Sequence, residues 1–143
     1  MWRETTKHKR NLDIFTREFE SFLPEHILDF HVHIMNRESI PETVQLDAAG
    51  QRIEKYDFED LDADLADAYP GRRTSALCFG SPHVEYDKKA SDACVAAGCD
   101  NRRYFGLMLF DPLNDTAEEV HAALASRRFL GIKPYLNYVR KED

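Results

Sequence analysis
The chain has 143 residues, 43% hydrophobic and 31% charged, with a formal net charge of −7. That is room for one domain with a sizeable core, and ordinary globular composition. The acidic balance argues against a nucleic-acid partner, whose binders carry a basic patch, and no apolar run approaches the roughly 20 residues of a membrane span.

The start, Met1 to Arg10, is polar and basic, lacks the apolar core of a signal peptide, and reads as a frayed lead-in. A cytoplasmic location is the default expectation. Leu12, Phe15, Phe19 and Phe22 then recur at helical spacing, with Ile14 and Leu23 widening the stripe. A packing helix is predicted over Leu12–Leu23, stopped by Pro24. Residues 1–23 thus form the lead-in and first helix of a single domain, 1–143.

The first strand is predicted over Ile27–Ile34. Its residues alternate: Asp29, His31 and His33 take one parity, and Leu28, Phe30, Val32 and Ile34 the other. In an extended strand this gives one face a carboxylate and two imidazoles and leaves the opposite face apolar. Alternate residues sit roughly 6.5–7 Å apart at the backbone. The ring nitrogens can therefore converge on one ion, at about 2.0–2.1 Å each for zinc. A His-x-His on a strand can equally be a solvated polar face. The neighbouring acid, the apolar opposite parity and the place at the head of an alternating strand and helix pattern favour metal. Zinc takes about four ligands, so the others must come from elsewhere.

From Met35 to Tyr56 the chain is polar and aperiodic, a long loop leaving the carboxyl end of the histidine strand, where it could cover a site. Asp57 offers a helix cap, and Leu61, Leu65 and Ala68 make one helical face, ended by Pro70-Gly71. A second strand is predicted over Thr74–Phe79. A helix follows from about Tyr86 to Ala97, with Ala90, Ala93, Cys94 and Ala97 on one face and Gly98 as its C-cap. The third strand is Tyr104–Phe110, ended by Asp111-Pro112. Thr116 and Glu119 have capping-box spacing, before a helix carrying Ala117, Val120, Leu124 and Ala125. The fourth strand runs from Phe129 to about Leu136, and Arg140–Asp143 is a charged stub. Strands alternating with helices of this length predict a parallel α/β sheet with right-handed crossovers.

The three cysteines, Cys78, Cys94 and Cys99, form no Cys-x-x-Cys, which speaks against a disulfide framework or a thiolate zinc site. Cys78 in an apolar strand and Cys94 on a helix face read as small core residues.

Asp29-Phe30-His31-Val32-His33 on a first strand resembles the amidohydrolase superfamily, and within it the amidohydrolase-related branch of metal-dependent hydrolases and decarboxylases. Phe22 to Asp29 resembles that branch's lead-in to the first strand. Arg102 through Pro112 resembles its third strand, and Gly131-Ile132-Lys133 its fourth. Together these span most of residues 22–136. The resemblance implies a (β/α)8 TIM barrel, which takes roughly 250 residues. The chain would supply about four of its strands, a partial barrel corresponding to the N-terminal half.

It also implies that His31 and His33 are metal ligands, holding a divalent ion, zinc first with manganese as the alternative. Such an ion polarises substrate and acidifies water. The acid that handles the proton in the family lies on a later strand, so the catalytic residues are unassigned. Asp29 sits deeper than the imidazoles and reads as a structural carboxylate rather than a ligand. Gly131, Lys133 and Tyr135 share parity, so Lys133 and Tyr135 are the candidate substrate-binding residues. The family's commoner Lys-x-His-Pro is here Lys133-Pro134-Tyr135, which favours anion or carboxylate binding over a second metal. His83 follows the second strand and could face the same mouth. His121 lies within a helix, His8 and His26 have no partner pattern, and Asp111 before Pro112 reads as a turn former.

The function so implied is water activation on a divalent metal to hydrolyse a C–N or C–O bond of a small, anionic substrate. Non-oxidative decarboxylation is the alternative chemistry, and the isolated half is expected to be nearly inactive. A rival reading is a non-catalytic half-barrel that self-assembles as a homo-oligomer or pairs with a missing C-terminal half, because its outer strands would be open edges.

Overall fold
The computed structural model describes residues 6–48 and 51–135. Its elements in chain order are α1 (Thr6–Glu18), β1 (His26–Ile34), β2 (Leu46–Ala48), β3 (Gln51–Ile53), α2 (Phe58–Ala68), β4 (Arg73–Gly80), α3 (Lys88–Gly98), β5 (Tyr104–Phe110), α4 (Ala117–Ala125) and β6 (Gly131–Pro134). Four strands form one parallel sheet in the order β1-β4-β5-β6. Each strand of this sheet is laid beside the one before it, so the sheet grows in a single direction.

Growth in one direction with crossovers of one hand puts the connecting helices on one face. The core has that form. Leu61 and Leu65 of α2 and Val95 of α3 pack with Val32, Ile34, Ala76, Cys78, Tyr104 and Met108, and Val120 and Ala123 of α4 lie against the same cluster. Meanwhile α1 meets the end of α2, with Phe15 edge-on to Tyr69 at 6.3 Å between ring centres. Two helices start in reciprocal caps. The Asp57 carboxylate accepts from the Glu59 and Asp60 amides while Asp60 accepts from the Asp57 amide. Thr116 and Glu119 do the same at α4, each satisfying N–H groups that the first turn leaves bare.

Four expectations need correcting. Thr6–Arg10 are helical rather than frayed, since lysine and arginine are good helix formers even without an apolar stripe. The helix ends at Glu18, short of Leu23, because the Phe19 and Glu20 amides both turn back to the Phe15 carbonyl, at 2.9 and 3.1 Å. The aperiodic loop holds a hairpin, β2 against β3, whose strands are too short to show alternation. The loop is closed at its base by reciprocal Met35–Tyr56 bonds of 2.9 and 2.8 Å, and tied to the start of α3 by the Asp87 amide donating to the Ser39 carbonyl. Gly98 lies inside α3, with Cys99 as the cap residue. A Cβ on Gly98 would sit 2.0 Å from the Phe58 ring, so glycine is there for close approach. The fourth strand ends at Pro134; Leu136 and the charged stub lie outside the described residues. Among the described residues no helix is long and apolar enough to cross a membrane.

Candidate metal centre
β1 and β4 pair in register from His26–Arg73 to Asp29–Ala76 and again from Val32–Cys78 to Ile34–Gly80. Three steps on β1 therefore match two on β4, and β1 carries one surplus residue at Phe30-His31, a β-bulge. The bulge resets the parity. Asp29, opposite Ala76, shares the helix-covered face with Val32, opposite Cys78. The charge of Asp29 accordingly acts on Cys78 and Tyr56, both packed in or against the helix-side core. The expected single face bearing Asp29, His31 and His33 does not exist, and neither does the wholly apolar opposite face. Leu28, opposite Ser75, is 55% exposed, and Phe30 is 71% exposed. Asp29 keeps a local role: its Oδ1 accepts the His31 backbone N–H at 3.1 Å, within the bulge.

His31 and His33 do come together on the open face. Their ring centres are 5.3 Å apart with planes at 59°. Two imidazoles sharing a tetrahedral zinc at about 2.0–2.1 Å per nitrogen would have ring centres about 5 Å apart, so the pair is suitably spaced. Both rings stand edge-on to Phe79, at 5.0 and 4.7 Å. Phe79 is fully buried on a face that carries no helix from α2 to α4, because imidazoles, an amine and a phenol cover it.

His33 is held in one tautomer. Its Nδ1 lies 2.9 Å from the Gly80 carbonyl, an acceptor only, so Nδ1 carries the proton and Nε2 presents a lone pair. A backbone carbonyl behind an imidazole is the arrangement that orients metal-binding histidines. Burial pushes the His33 pKa below its ordinary value, and repulsion from His31 and Lys133 adds to this against the opposing Gly80 bond. Burial thus favours the neutral ring, the form a cation needs. No protein group bonds the ring nitrogens of the exposed His31 among the described residues.

Lys133 and Tyr135 reach the same place. The Lys133 ammonium lies 4.7 Å from the Phe79 ring centre and 5.6 Å from that of Tyr135, within cation–π range. The Tyr135 hydroxyl stands 3.4 Å from His33 Nε2, and burial raises its pKa. β1 and β6 are separated by β4 and β5, three strand spacings or roughly 14 Å, and the long side chains of His33 and Tyr135 meet across the open face that Phe79 floors.

The other sequence candidates lie apart. His83 is exposed, stacked on Tyr86 at 4.8 Å, and its Nδ1 accepts the Glu85 amide. His121 is exposed on α4, and His26 is exposed at the start of β1, away from the paired imidazoles. His8 stands in α1 with its side chain outside the described residues. Asp111 builds the turn after β5, accepting from the Leu113 amide and the Asn114 side chain. Cys78 is buried in the core, where a hydrogen bond with Cys99 and burial push its thiol pKa up, and burial does the same to Cys94.

Phe79 and Gly80 were not legible as site residues. The available signal was Phe79 on the open-face parity of β4, followed by a glycine. A Cβ on Gly80 would collide with the Ser91 side chain at 2.0 Å, so glycine there lets α3 pack close beside the carbonyl that holds His33. Two imidazoles are half the roughly four ligands that zinc takes. Among the described residues no group of three or more His, Cys, Asp or Glu side chains converges. No family model, curated protein or solved structure matches the chain.

Proposed function
We propose that the chain is the N-terminal half of a metal-dependent hydrolase barrel of amidohydrolase type, in which His31 and His33 hold a divalent ion, zinc ahead of manganese. The observation that carries this reading is the geometry of the pair: the Gly80 carbonyl holds His33 Nδ1, leaving Nε2 as the free nitrogen of a ring 5.3 Å from that of His31. Sequential strand order and helices packed on one face support a partial (β/α)8 barrel. His31 lies in the bulge and His33 two residues beyond it, in the carboxyl-terminal part of β1, the end at which such barrels hold their chemistry.

When bound, the ion supplies Lewis acidity and lowers the pKa of water. The chain's own residues do the rest. Gly80 keeps the proton on His33 Nδ1. The Tyr135 hydroxyl occupies the direction of Nε2 and turns away to donate to a substrate oxygen. Lys133, standing over Phe79, supplies the positive charge that draws in a small anionic substrate, hydrolysed at a C–N or C–O bond. Decarboxylation would use the same attraction for a carboxylate. The missing ligands and the proton-handling acid come from a completing half.

Calorimetric titration with zinc and with manganese tests the site. One ion per chain is expected, and none in the His31→Ala, His33→Ala double variant. Unchanged stoichiometry in that variant overturns the reading. A second reading, assembly without catalysis, is favoured by the exposed Leu28 and Phe30 on the outermost strand β1. Sedimentation as a concentration-independent monomer would remove it.

A further inference from the structure
The opposite end of the sheet carries a second constellation. β4 and β5 are each entered through an arginine doublet, Arg72-Arg73 and Arg102-Arg103. The strands are neighbours, and the Ala76 amide donates to the Arg103 carbonyl at 3.0 Å, so the doublets enter the same end of the sheet, offset by two residues. With His26, Thr74 and Ser75 they line a cleft of about 490 Å³. It lies roughly 23 Å from the imidazole end, seven residues of strand at about 3.3 Å each.

The charges in this cleft do not balance. Arg73 pairs with Glu25 at 2.9 Å. Arg103 pairs with Asp62 at 2.6 Å and also donates to the Thr74 carbonyl at 3.2 Å. Arg72, by contrast, donates Nη2 to a neutral acceptor, the Glu20 carbonyl, at 2.6 Å, and its Nε is buried without an acceptor among the described residues. Arg102 has its backbone N–H on Asp100 Oδ1, while its exposed guanidinium has no carboxylate partner among the described residues. Among the described residues, neither Arg72 nor Arg102 pairs with a carboxylate in this cleft, in a chain whose net charge is −7. Crowding like charges is unfavourable unless an anion joins them. Guanidinium forks match phosphate oxygens two at a time, with charge-assisted bonds stronger than neutral ones.

We propose that this cleft binds a phosphate dianion, free or as the monoester group of a small molecule, at a site separate from the metal centre. The exposed Arg102 supplies the reaching guanidinium, Arg72 adds its charge from the wall, and Thr74, Ser75 and His26 supply further polar groups there. Its distance from the imidazoles makes it a place for docking or control rather than for the reacting bond.

The test is calorimetric titration of the full chain with inorganic phosphate and, separately, phenyl phosphate, against chloride at matched ionic strength. Saturable binding of either phosphate is expected, and the tighter of the two tells free ion from ester. Arg102→Gln should weaken it about tenfold, the loss of one charge-assisted contact. Arg102→Lys should fall between, keeping the charge without the fork. Zinc binding should be unchanged in both, and far-UV circular dichroism checks that they fold. Stabilisation matched by chloride, or equal phosphate affinity in wild type and Arg102→Gln, overturns the proposal and leaves the arginines as partners of the nearby helix ends.

Discussion

The two faces of the parallel sheet solve the problem of covering apolar residues differently. The helix side does it with hydrocarbon: Val32, Ile34, Ala76, Cys78 and Met108 disappear under Leu61, Leu65 and Val95. The open side buries Phe79 as completely, but under two imidazoles, a lysine and a tyrosine, while Leu28 and Phe30 nearby stay in solvent. Polar groups gathered over a ring they could have left exposed are arranged for something other than burial. Polar and apolar covers are thus divided between faces of the same strands.

The largest effects test that division. Leu61→Ala should cost about 2–5 kcal/mol and Phe79→Ala about 3–5 kcal/mol, both by urea denaturation. Only the second should also abolish zinc binding, because it removes the floor that aligns the rings. A Phe79→Ala loss below about 1 kcal/mol would mean that the open-face cluster is not packed, and the comparison would fail. A smaller effect is expected at the bulge. Asp29→Ala removes the acceptor of the His31 amide and should cost about 1 kcal/mol, with a several-fold loss of zinc affinity. Asp29→Asn keeps an acceptor oxygen and should restore most of both; equal losses in the two variants would assign the effect to charge instead.

The smallest effect is one of pH. His33 is held below its ordinary pKa, first by burial and then by His31 and Lys133. The unfolded chain, titrating near pH 6.5, therefore binds this proton more readily than the folded one. Stability is full above about pH 6.5 and falls as pH drops through the folded value. Melting temperature against pH should show this decline, and His33→Asn should flatten it. A profile identical in the variant would place the acid sensitivity elsewhere.

Much of the fold could be read from residue order. The caps at Asp57 and Thr116 have side chains whose geometry is local, and β5 runs between an Arg-Tyr entry and Asp111-Pro112, as its composition indicates. The alternation of strands and helices carried the parallel sheet. What stayed hidden needs a partner strand to be visible. Asp29, His31 and His33 keep perfect period-two spacing on paper, yet the register against β4 places the first on the other side of the sheet. Gly98 looks like a helix stop until Phe58 is seen against it. Phe79 is an ordinary strand phenylalanine until four polar neighbours from β1 and β6 close over it.

The contact of Tyr135 with His33 joins residues 102 positions apart. Closing so long a segment is entropically costly and slow unless the intervening strands are already in place. A nascent chain holding only its first repeats would carry both imidazoles but not the phenol that meets them. The cluster around Phe79 thus reports that the strands from β1 to β6 have come together.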